Sequence, residues 1–218
     1  MIHLIALDLD GTLEDSRDDM VAAVLRVRAQ LGLPEEDGAR FRAHVNGGMD
    51  HLYRHCFAEF LAAGGAIGAV REAYEADYLA HIADTTRLYD GVAAALKELS
   101  GLGRLACVTN KPERLSVALL AALEVGALFS AVIGGDTCAE SKPSPVVLAE
   151  ASRRVGRTGS AVMIGDSPAD VRCGRSFGAG TIWCAWGYAA SPGEERPDAR
   201  AETPAALPGL VRELLARA

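Results

Sequence analysis

The side chains that could do chemistry in this chain are mostly oxygen donors, placed where apolar runs end. They are Asp8, Asp10, Thr109, Asn110, Lys142 and Asp166, with Asp170 one helical turn further on. Carboxylate oxygens without histidine or cysteine partners suit Mg²⁺. A lysine, a threonine hydroxyl and backbone N–H groups suit phosphate oxygens. An anion site beside a cation site is what phosphoryl transfer requires.

Each of these residues also has a plain structural explanation. Asp8 and Asp10 could form a turn or cap a helix, and Lys142 could be a solvated side chain. An EF-hand is excluded, because glycine comes at the fourth position of the loop and not the sixth, and no liganding glutamate follows at the twelfth. Ser167 and Asp170 form a capping-box pattern, which is compatible with a further role in a site.

The elements that must position these residues are short apolar runs alternating with helical patterns. The predicted strands cover 3–7, 104–108, 131–133, 161–164 and 181–185. The predicted helices cover 92–99, 113–123, 145–155, 168–177 and 207–216. This alternation predicts a doubly wound, Rossmann-like α/β fold with a parallel sheet. Because ligands bind beyond the carboxyl ends of such strands, the polar residues should converge there.

The interval between the first two strands is too long for an ordinary crossover. Its helical periodicity predicts an inserted all-helical cap domain at 15–88, with the α/β core formed by 1–14 and 89–218. Ser16 and Asp19 suggest a capping box at the start of its first helix. Further helices are expected at 49–63 and 67–83. Near the end of the chain, 191–204 is expected to be a surface loop.

Composition narrows the class of partner. The chain has 218 residues, of which 50% are hydrophobic, and a formal net charge of −7. This charge disfavours nucleic acid as the main partner, although a local pocket can still bind a small anion. The five cysteines form no Cys-x-x-Cys pair, so neither a disulfide framework nor a zinc–cysteine site is indicated. The apolar stretch 115–135 divides better into a helix, a turn and a strand than into a membrane span.

Localisation and assembly are expectations from the same features. The start of the chain has no basic leader followed by a signal-type apolar region. With its scattered cysteines, this favours a reducing, cytoplasmic environment. We expect a monomer or homodimer that binds neither membrane nor nucleic acid.

Four short motifs in order resemble the phosphatase branch of the haloacid dehalogenase superfamily. They are residues 8–13 with Asp15 and Ser16, 108–112, Lys142 with Pro143, and 165–170. Finer features at 89–92, 109–112, 132–136 and 186–188 are similar to the phosphoglycolate phosphatase family within it. The resemblance covers the whole chain. Glu14 departs from it, since an apolar residue is more usual at that position.

The resemblance implies a role for each motif residue. Asp8 would be the nucleophile that forms an aspartyl-phosphate, and Asp10 the general acid and base. Mg²⁺ would be held by Asp8, the backbone carbonyl of Asp10 and Asp166. The phosphoryl group would be bound by Thr109, Asn110, Lys142 and Gly11. Asp170 would support the metal shell or orient Lys142, which we prefer to Lys111 as the phosphate lysine.

In the implied cap domain, the substrate-facing loop is predicted at Asn46, Gly47 and Gly48. An ordinary turn between helices is an equally good interpretation of these residues. His44, His51 and His55 are expected to be surface residues of the cap, although one of them could contact substrate.

The resemblance implies Mg²⁺-dependent hydrolysis of a small phosphorylated metabolite, with 2-phosphoglycolate as the best candidate. An inorganic pyrophosphatase, a β-phosphoglucomutase and a sugar or nucleotide phosphatase share the scaffold and remain alternatives. A phosphonoacetaldehyde hydrolase is disfavoured, because it needs a cap lysine and residues 1–96 contain none. Outside enzymes, a receiver-type phospho-acceptor or an inactive phosphate-binding module is the remaining interpretation.

Overall fold

The structure is a computed structural model that describes residues 1–45 and 47–217. The chain divides into two compact units. One consists of Met1–Glu14 together with Leu88–Ala218, and the other of Asp15–Arg87. None of the helices in the described residues is both long enough and apolar enough to span a membrane.

Five of the described strands lie on the predicted apolar runs, with bounds that differ by at most two residues, and three short strands were not predicted. The strands are β1 (Leu4–Leu7), β2 (Glu14–Asp15), β3 (Arg87–Leu88), β4 (Arg104–Val108), β5 (Phe129–Ile133), β6 (Ala161–Gly165), β7 (Gly180–Cys184) and β8 (Ala199–Ala201). Six of them form one sheet in the order β5-β4-β1-β6-β7-β8, with every neighbouring pair parallel. This order places β1 at the centre and confirms the predicted α/β fold class.

Five helices accompany the large sheet. They are α6 (Val92–Leu99), α7 (Glu113–Ala122), α8 (Val146–Val155), α9 (Pro168–Phe177) and α10 (Leu207–Arg217). Leu4 and Ala6 of β1 pack in one buried cluster with Val147 and Leu148 of α8. All four residues of β1 are completely buried. A strand buried on both faces is what a sheet covered by helices on both sides requires.

The second unit is helical. It contains α1 (Arg17–Gln30), α2 (Ala39–Arg42), α3 (Met49–Cys56), α4 (Ala58–Ala62) and α5 (Ile67–Ala80). Helices α1 and α5 pack against each other. Tyr53, Tyr74 and Tyr78 are completely buried, and their rings form a chain of contacts with centroids 5.7 and 5.8 Å apart. Aromatic rings therefore supply much of the apolar interior of this small unit.

The predicted helix at 49–63 is wrong as a single element. Its backbone leaves helical geometry at Phe57, which has φ −126° and ψ 28° and separates α3 from α4. The Phe57 side chain is completely buried. Phenylalanine is a moderate helix former, so burial of its ring outweighs the small preference for continuing the helix.

The predicted capping box at the start of α1 is also wrong. Ser16 makes no capping hydrogen bond with its side chain. The Asp19 carboxylate instead accepts hydrogen bonds from the backbone N–H and hydroxyl groups of Thr85 and Thr86, at 2.6–3.0 Å. Both oxygens of the Asp19 carboxylate therefore accept hydrogen bonds from residues more than sixty positions along the chain.

The predicted surface loop at 191–204 contains an ordered edge strand. Ala199–Ala201 form β8, which pairs in parallel with β7. The Asp198 carboxylate accepts hydrogen bonds of 2.8 Å from the backbone N–H and the hydroxyl of Thr181. A three-residue strand in a stretch rich in proline and charge has too few apolar residues to show periodicity.

Candidate active site

The central strands bring three of the predicted site residues to one edge of the sheet. Asp8 follows β1, Thr109 follows β4 and Asp166 follows β6. Strand β1 pairs in parallel with both β4 and β6, so their carboxyl ends lie side by side. All three side chains are buried. The apolar strand residues dictate this arrangement, since burying them fixes where the polar residues emerge.

Lys142 lies at the centre of this group. Its Nζ is 2.7 Å from Oδ1 of Asp8 and 2.7 Å from Oδ1 of Asp170. The lysine is 5% exposed, so it is removed from water almost completely. A buried ammonium is stable only with such partners, and the two carboxylates hold it in one position.

Negative charge is in excess around this lysine. Burial raises the pKa of Asp8 to about 8, and the nearby charge of Asp170 adds to the rise while Lys142 opposes it. Burial and Asp170 likewise raise the pKa of Asp166 to about 6. Burial lowers the pKa of Lys142, but Asp170 and Asp8 outweigh it and raise the pKa overall. The cluster therefore holds a cationic lysine and still favours additional positive charge.

Both carboxylate oxygens of Asp170 have hydrogen-bond partners. Its Oδ2 accepts hydrogen bonds from the Ser167 N–H at 2.9 Å and the Ser167 hydroxyl at 2.6 Å. This confirms the capping box predicted at the start of α9. Because Oδ1 contacts Lys142, the same carboxylate stabilises a helix terminus and positions the buried lysine.

The Asp166 carboxylate accepts hydrogen bonds from two neighbouring groups. Its Oδ1 accepts a hydrogen bond of 3.1 Å from the Thr12 hydroxyl, and its Oδ2 one of 2.7 Å from the backbone N–H of Tyr188. Gly11 and Gly187 lie against this carboxylate, and a Cβ at either position would overlap it. Gly11 also has φ +82°, which favours glycine. Bulk at either position would displace the carboxylate.

The Asn110 side chain forms two hydrogen bonds with the backbone of Lys142. Its Oδ1 accepts a hydrogen bond of 3.0 Å from the backbone N–H of Lys142, and its Nδ2 donates one of 3.2 Å to the carbonyl of Lys142. The Thr109 hydroxyl accepts a hydrogen bond of 3.2 Å from the Lys111 N–H. Phosphate binding by Thr109 and Asn110 stays a prediction. The contact that the structure shows for Asn110 is with the backbone of Lys142, which it holds in place.

Asp10 has a lysine partner of its own. Its carboxylate forms an ion pair with Lys111, whose side chain is almost completely buried. The two lysines of the site are thereby separated, with Lys142 between Asp8 and Asp170 and Lys111 on Asp10. The sequence placed Lys111 and Lys142 in competition for a single role, and the structure gives each its own carboxylate partner.

The carboxylates offer a set of oxygen ligands for a metal ion. One oxygen each from Asp8, Asp166 and Asp170 lie within 4.8 Å of one another. All three residues are buried, and the donors are those that Mg²⁺ prefers. Burial is the main cause of the raised pKa values of Asp8 and Asp166, and the nearby charge of Asp170 adds to it; a divalent cation would offset both effects. These residues fit a hard cation.

For the remaining predicted site residues, the structure does not test the predicted contact with substrate or phosphate. The N–H of Gly11 donates a hydrogen bond of 2.9 Å to the Glu14 carbonyl, so phosphate binding by Gly11 stays a prediction. Asn46 lies outside the described residues. Gly47 and Gly48 precede α3, where Gly48 has φ +87°. Their contact with substrate also stays a prediction.

Sequence reasoning missed the residues that hold Asp166 and the lysine that pairs with Asp10. Thr12 and Tyr188 hold Asp166, and Lys111 pairs with Asp10. Thr12 stands inside the first motif, and Tyr188 follows Trp186-Gly187 in a stretch singled out only for its resemblance to the family. Its place in that motif was the signal that could have identified Thr12 as a site residue. No local pattern pairs Lys111 with a residue 101 positions away.

Comparison with known proteins identifies the family of this chain. The family model of the haloacid dehalogenase-like hydrolases matches residues 2–178. A phosphoglycolate phosphatase of Chromobacterium violaceum is 37% identical over 194 residues, covering 86% of this chain and 87% of the relative. One of Pseudomonas syringae pv. syringae is 34% identical over 217 residues, covering 97% of this chain and 78% of the relative.

Solved structures show the same architecture. A predicted phosphoglycolate phosphatase from Haemophilus somnus has a TM-score of 0.82 and 24% identity, over 96% of this chain and 98% of its own. CbbY from Rhodobacter sphaeroides, in complex with phosphate, has a TM-score of 0.76 and 25% identity, over 95% and 96% of the two chains. The resemblance seen in the motifs is confirmed, and the chain belongs to the haloacid dehalogenase-like hydrolases.

Proposed function

We propose that this chain is a Mg²⁺-dependent phosphatase that hydrolyses a small phosphate monoester through an aspartyl-phosphate on Asp8, with 2-phosphoglycolate as its substrate. The observation that carries this proposal is the ion cluster of Asp8, Lys142, Asp170 and Asp166. A buried lysine beside carboxylates with raised pKa values combines an anion-binding group with a cation-binding group.

Asp8, Asp166 and the backbone carbonyl of Asp10 are the proposed ligands of Mg²⁺. The bound ion would offset the repulsion between the Asp8 carboxylate and the substrate phosphate. Thr12 and the backbone N–H of Tyr188 hold Asp166 in place for this role. Asp170 is assigned to Lys142, since its Oδ1 contacts the lysine and its Oδ2 accepts from Ser167.

In the first chemical step, a carboxylate oxygen of Asp8 attacks phosphorus and the bond to the leaving oxygen breaks. Asp10 donates a proton to that leaving oxygen, and the product alcohol departs. Lys142 lies beside Asp8, where its charge can stabilise the phosphoryl oxygens. The backbone N–H of Leu9 donates a hydrogen bond of 2.7 Å to Oδ1 of Asp8, which orients the nucleophile.

In the second step, water attacks phosphorus and the bond between phosphorus and Asp8 breaks. Asp10, now a carboxylate, accepts the proton of the attacking water and so returns to its starting state. Lys111 pairs with the Asp10 carboxylate, which is the form that accepts this proton. The step releases inorganic phosphate and regenerates the Asp8 carboxylate, so each group is ready for another turnover.

The choice of 2-phosphoglycolate is supported by the relatives. Two curated proteins at 34% and 37% identity carry the name phosphoglycolate phosphatase and align with most of this chain. These names support the substrate, while the ion cluster supports the chemistry independently of it.

The test is phosphate release from a panel of phosphorylated compounds by purified protein with Mg²⁺. The panel contains 2-phosphoglycolate, p-nitrophenyl phosphate, pyrophosphate, glucose 1-phosphate, other sugar phosphates and nucleotides. We expect kcat/KM to be highest for 2-phosphoglycolate and activity to disappear with EDTA. No phosphate release from any of these compounds would overturn the phosphatase, and a higher kcat/KM for another compound would overturn only the substrate.

A further inference from the structure

Three of the five histidines of the chain meet in the helical unit, in a group that the proposed chemistry does not use. His44 lies in the turn after α2, and His51 and His55 are one turn apart on α3. The ring centroids of His51 and His55 are 3.8 Å apart, and those of His44 and His55 are 5.0 Å apart. The described residues contain one other group of potential ligands, the carboxylates already assigned to the active site.

The nitrogen atoms of this group have the separations of metal ligands. His44 Nδ1 and His51 Nε2 are 3.1 Å apart, and one ring nitrogen from each histidine lies within 4.8 Å of the others. Ligands at roughly 2.0–2.1 Å from a tetrahedral Zn²⁺ are about 3.3 Å from one another. His44 and His51 therefore already have this spacing, and a ring nitrogen of exposed His55 belongs to the same group, in which the three nitrogens lie within 4.8 Å of one another.

Helical spacing and hydrogen bonding favour the same interpretation. Histidines four residues apart on one helix face are the pattern with which helices bind zinc. His55 Nδ1 is 2.8 Å from the backbone carbonyl of His51 and donates to it. This hydrogen bond leaves Nε2 of His55 unprotonated in the neutral ring, which is the form that binds a metal.

The neighbouring loop makes room for these rings. A Cβ at Gly47 would lie 2.6 Å from Cδ2 of His51 and 2.8 Å from its Cγ. Glycine at this position thus allows the loop backbone to approach the His51 ring closely. This gives Gly47 a role in the helical unit that does not depend on substrate.

We propose that His44, His51 and His55 form a binding site for a transition-metal dication, with Zn²⁺ as the expected ion. Three imidazole nitrogens select zinc, nickel or copper over Mg²⁺, which requires oxygen ligands. A fourth position remains for water or a small anion. The donor chemistry therefore separates this site from the carboxylate cluster, and the proposal does not depend on the proposed function.

The test measures Zn²⁺ binding by untagged, full-length protein that has been stripped with EDTA and returned to excess Mg²⁺. A chromophoric chelator competes for Zn²⁺ and reports the affinity. The variants are His51→Ala, His55→Gln and Gly47→Ala, and the matched control is His81→Ala. His81 is another histidine of the helical unit, and it pairs with Asp84.

We expect wild type and His81→Ala to bind one Zn²⁺ with the same affinity. Each substitution of a proposed ligand should weaken binding at least about 10–100-fold, and Gly47→Ala should weaken it by displacing His51. Cobalt added in place of zinc should give the intense visible absorption of a tetrahedral site in wild type and lose it in His55→Gln. Metal-free thermal melts identify any variant that has simply lost its fold.

Unchanged zinc affinity in folded His51→Ala and His55→Gln would overturn the proposal, as would absence of zinc binding by wild type. Zinc binding that is lost only in Asp166→Asn would also overturn it, because the ion would then occupy the carboxylate cluster. None of these outcomes alters the phosphatase assay, so the two proposals fail independently.

Discussion

Both units of this protein bury a carboxylate, but Asp8 in the α/β core and Asp19 in the helical unit meet opposite environments. Asp19 is 3% exposed, and hydrogen bonds from Thr85 and Thr86 outweigh its burial, so its pKa is lowered. Burial and the charge of Asp170 raise the pKa of Asp8 to about 8. The contrast distinguishes a carboxylate saturated by its own fold from one that retains the capacity to bind a cation or attack an electrophile.

The two units also differ in the surroundings of a buried cation, Arg28 in the helical unit and Lys142 in the α/β core. Arg28 in the helical unit is 2% exposed, and it donates to the Cys56 carbonyl at 2.6 Å and to the Glu59 carboxylate. It connects two segments of the unit. Lys142 is equally buried but contacts two carboxylates of a cluster with excess negative charge. The balance of charge among their partners therefore distinguishes these two buried cations, whereas burial alone does not.

The largest effect predicted from this comparison is on catalysis by Asp8. Asp8→Asn removes the nucleophilic oxygen and should lower kcat on the order of 10⁴-fold or more. The thermal midpoint should not fall, because the substitution relieves repulsion with Asp170 and Asp166. Steady-state phosphate release and a thermal melt measure the two quantities. Substantial turnover by a folded Asp8→Asn protein would remove Asp8 as the nucleophile.

The two site lysines give the next largest effect. Lys142→Met removes the cation between Asp8 and Asp170 and should lower kcat about 10²–10³-fold and weaken inhibition by inorganic phosphate. Lys111→Met should lower kcat on the order of 10-fold, because Asp10 remains but loses its partner. The inhibition constant for phosphate distinguishes them. Equal effects of both substitutions on phosphate affinity would contradict the separate roles assigned here.

On the structural side of the comparison, Asp19→Ala should destabilise the helical unit by about 2–4 kcal/mol. The reason is that the N–H and hydroxyl groups of Thr85 and Thr86 lose a charged acceptor. Chemical denaturation followed by circular dichroism measures this change. The matched control is Asp18→Ala, since Asp18 is an exposed neighbour paired with Arg42 and should change stability little. Similar stability of both variants would contradict the stabilising role assigned to the hydrogen bonds of Asp19.

The smallest predicted effect is a pH-dependent stabilisation by Mg²⁺. The folded-state pKa of Asp8 is raised from 3.8 to about 8, so the associated stability is present below about pH 4 and is lost as pH rises through about 8. Asp166 behaves in the same way up to about pH 6. Mg²⁺ competes with these protons and should bind more tightly as pH rises.

Mg²⁺ should therefore raise the thermal midpoint more at pH 8 than at pH 5, by an amount that corresponds to roughly 1–3 kcal/mol at saturating metal. Sodium chloride at equal ionic strength is the control for screening, and Asp166→Asn should reduce the Mg²⁺ effect. The same midpoint shift at both pH values, or an equal shift with sodium, would argue against a metal site formed by these carboxylates.

Local sequence patterns predicted most of the core elements. The strand at 104–108 and the helices at 92–99 and 168–177 have the predicted bounds. These segments have a consistent apolar period and clear turn or capping residues at their ends, so neighbours within the segment decide their structure. The break at Phe57 was not predictable in this way, because no glycine or proline marks it and the burial of its ring decides it.

The contacts between motifs were not predictable in detail. Asp19 was assigned to a capping box because Ser16 is three residues away, whereas its donors are Thr85 and Thr86, more than sixty positions along the chain. Lys111 was considered a substitute for Lys142, and it pairs with Asp10 instead. In both cases a residue with several suitable partners in the sequence has only one within reach in the fold.

The sequence by itself determined the fold class, the family and the set of residues at the strand ends, because each depends on local periodicity and on motifs that are contiguous in the chain. Only the tertiary structure decided which carboxylate holds which lysine, how Thr12 and Tyr188 support Asp166, and that three histidines meet beside Gly47. Those pairings depend on the strand order β5-β4-β1-β6-β7-β8 and on helix packing, which bring together residues far apart in sequence. Asp8 and Asp10 are two positions apart in the first motif, and the fold gives each its own lysine partner.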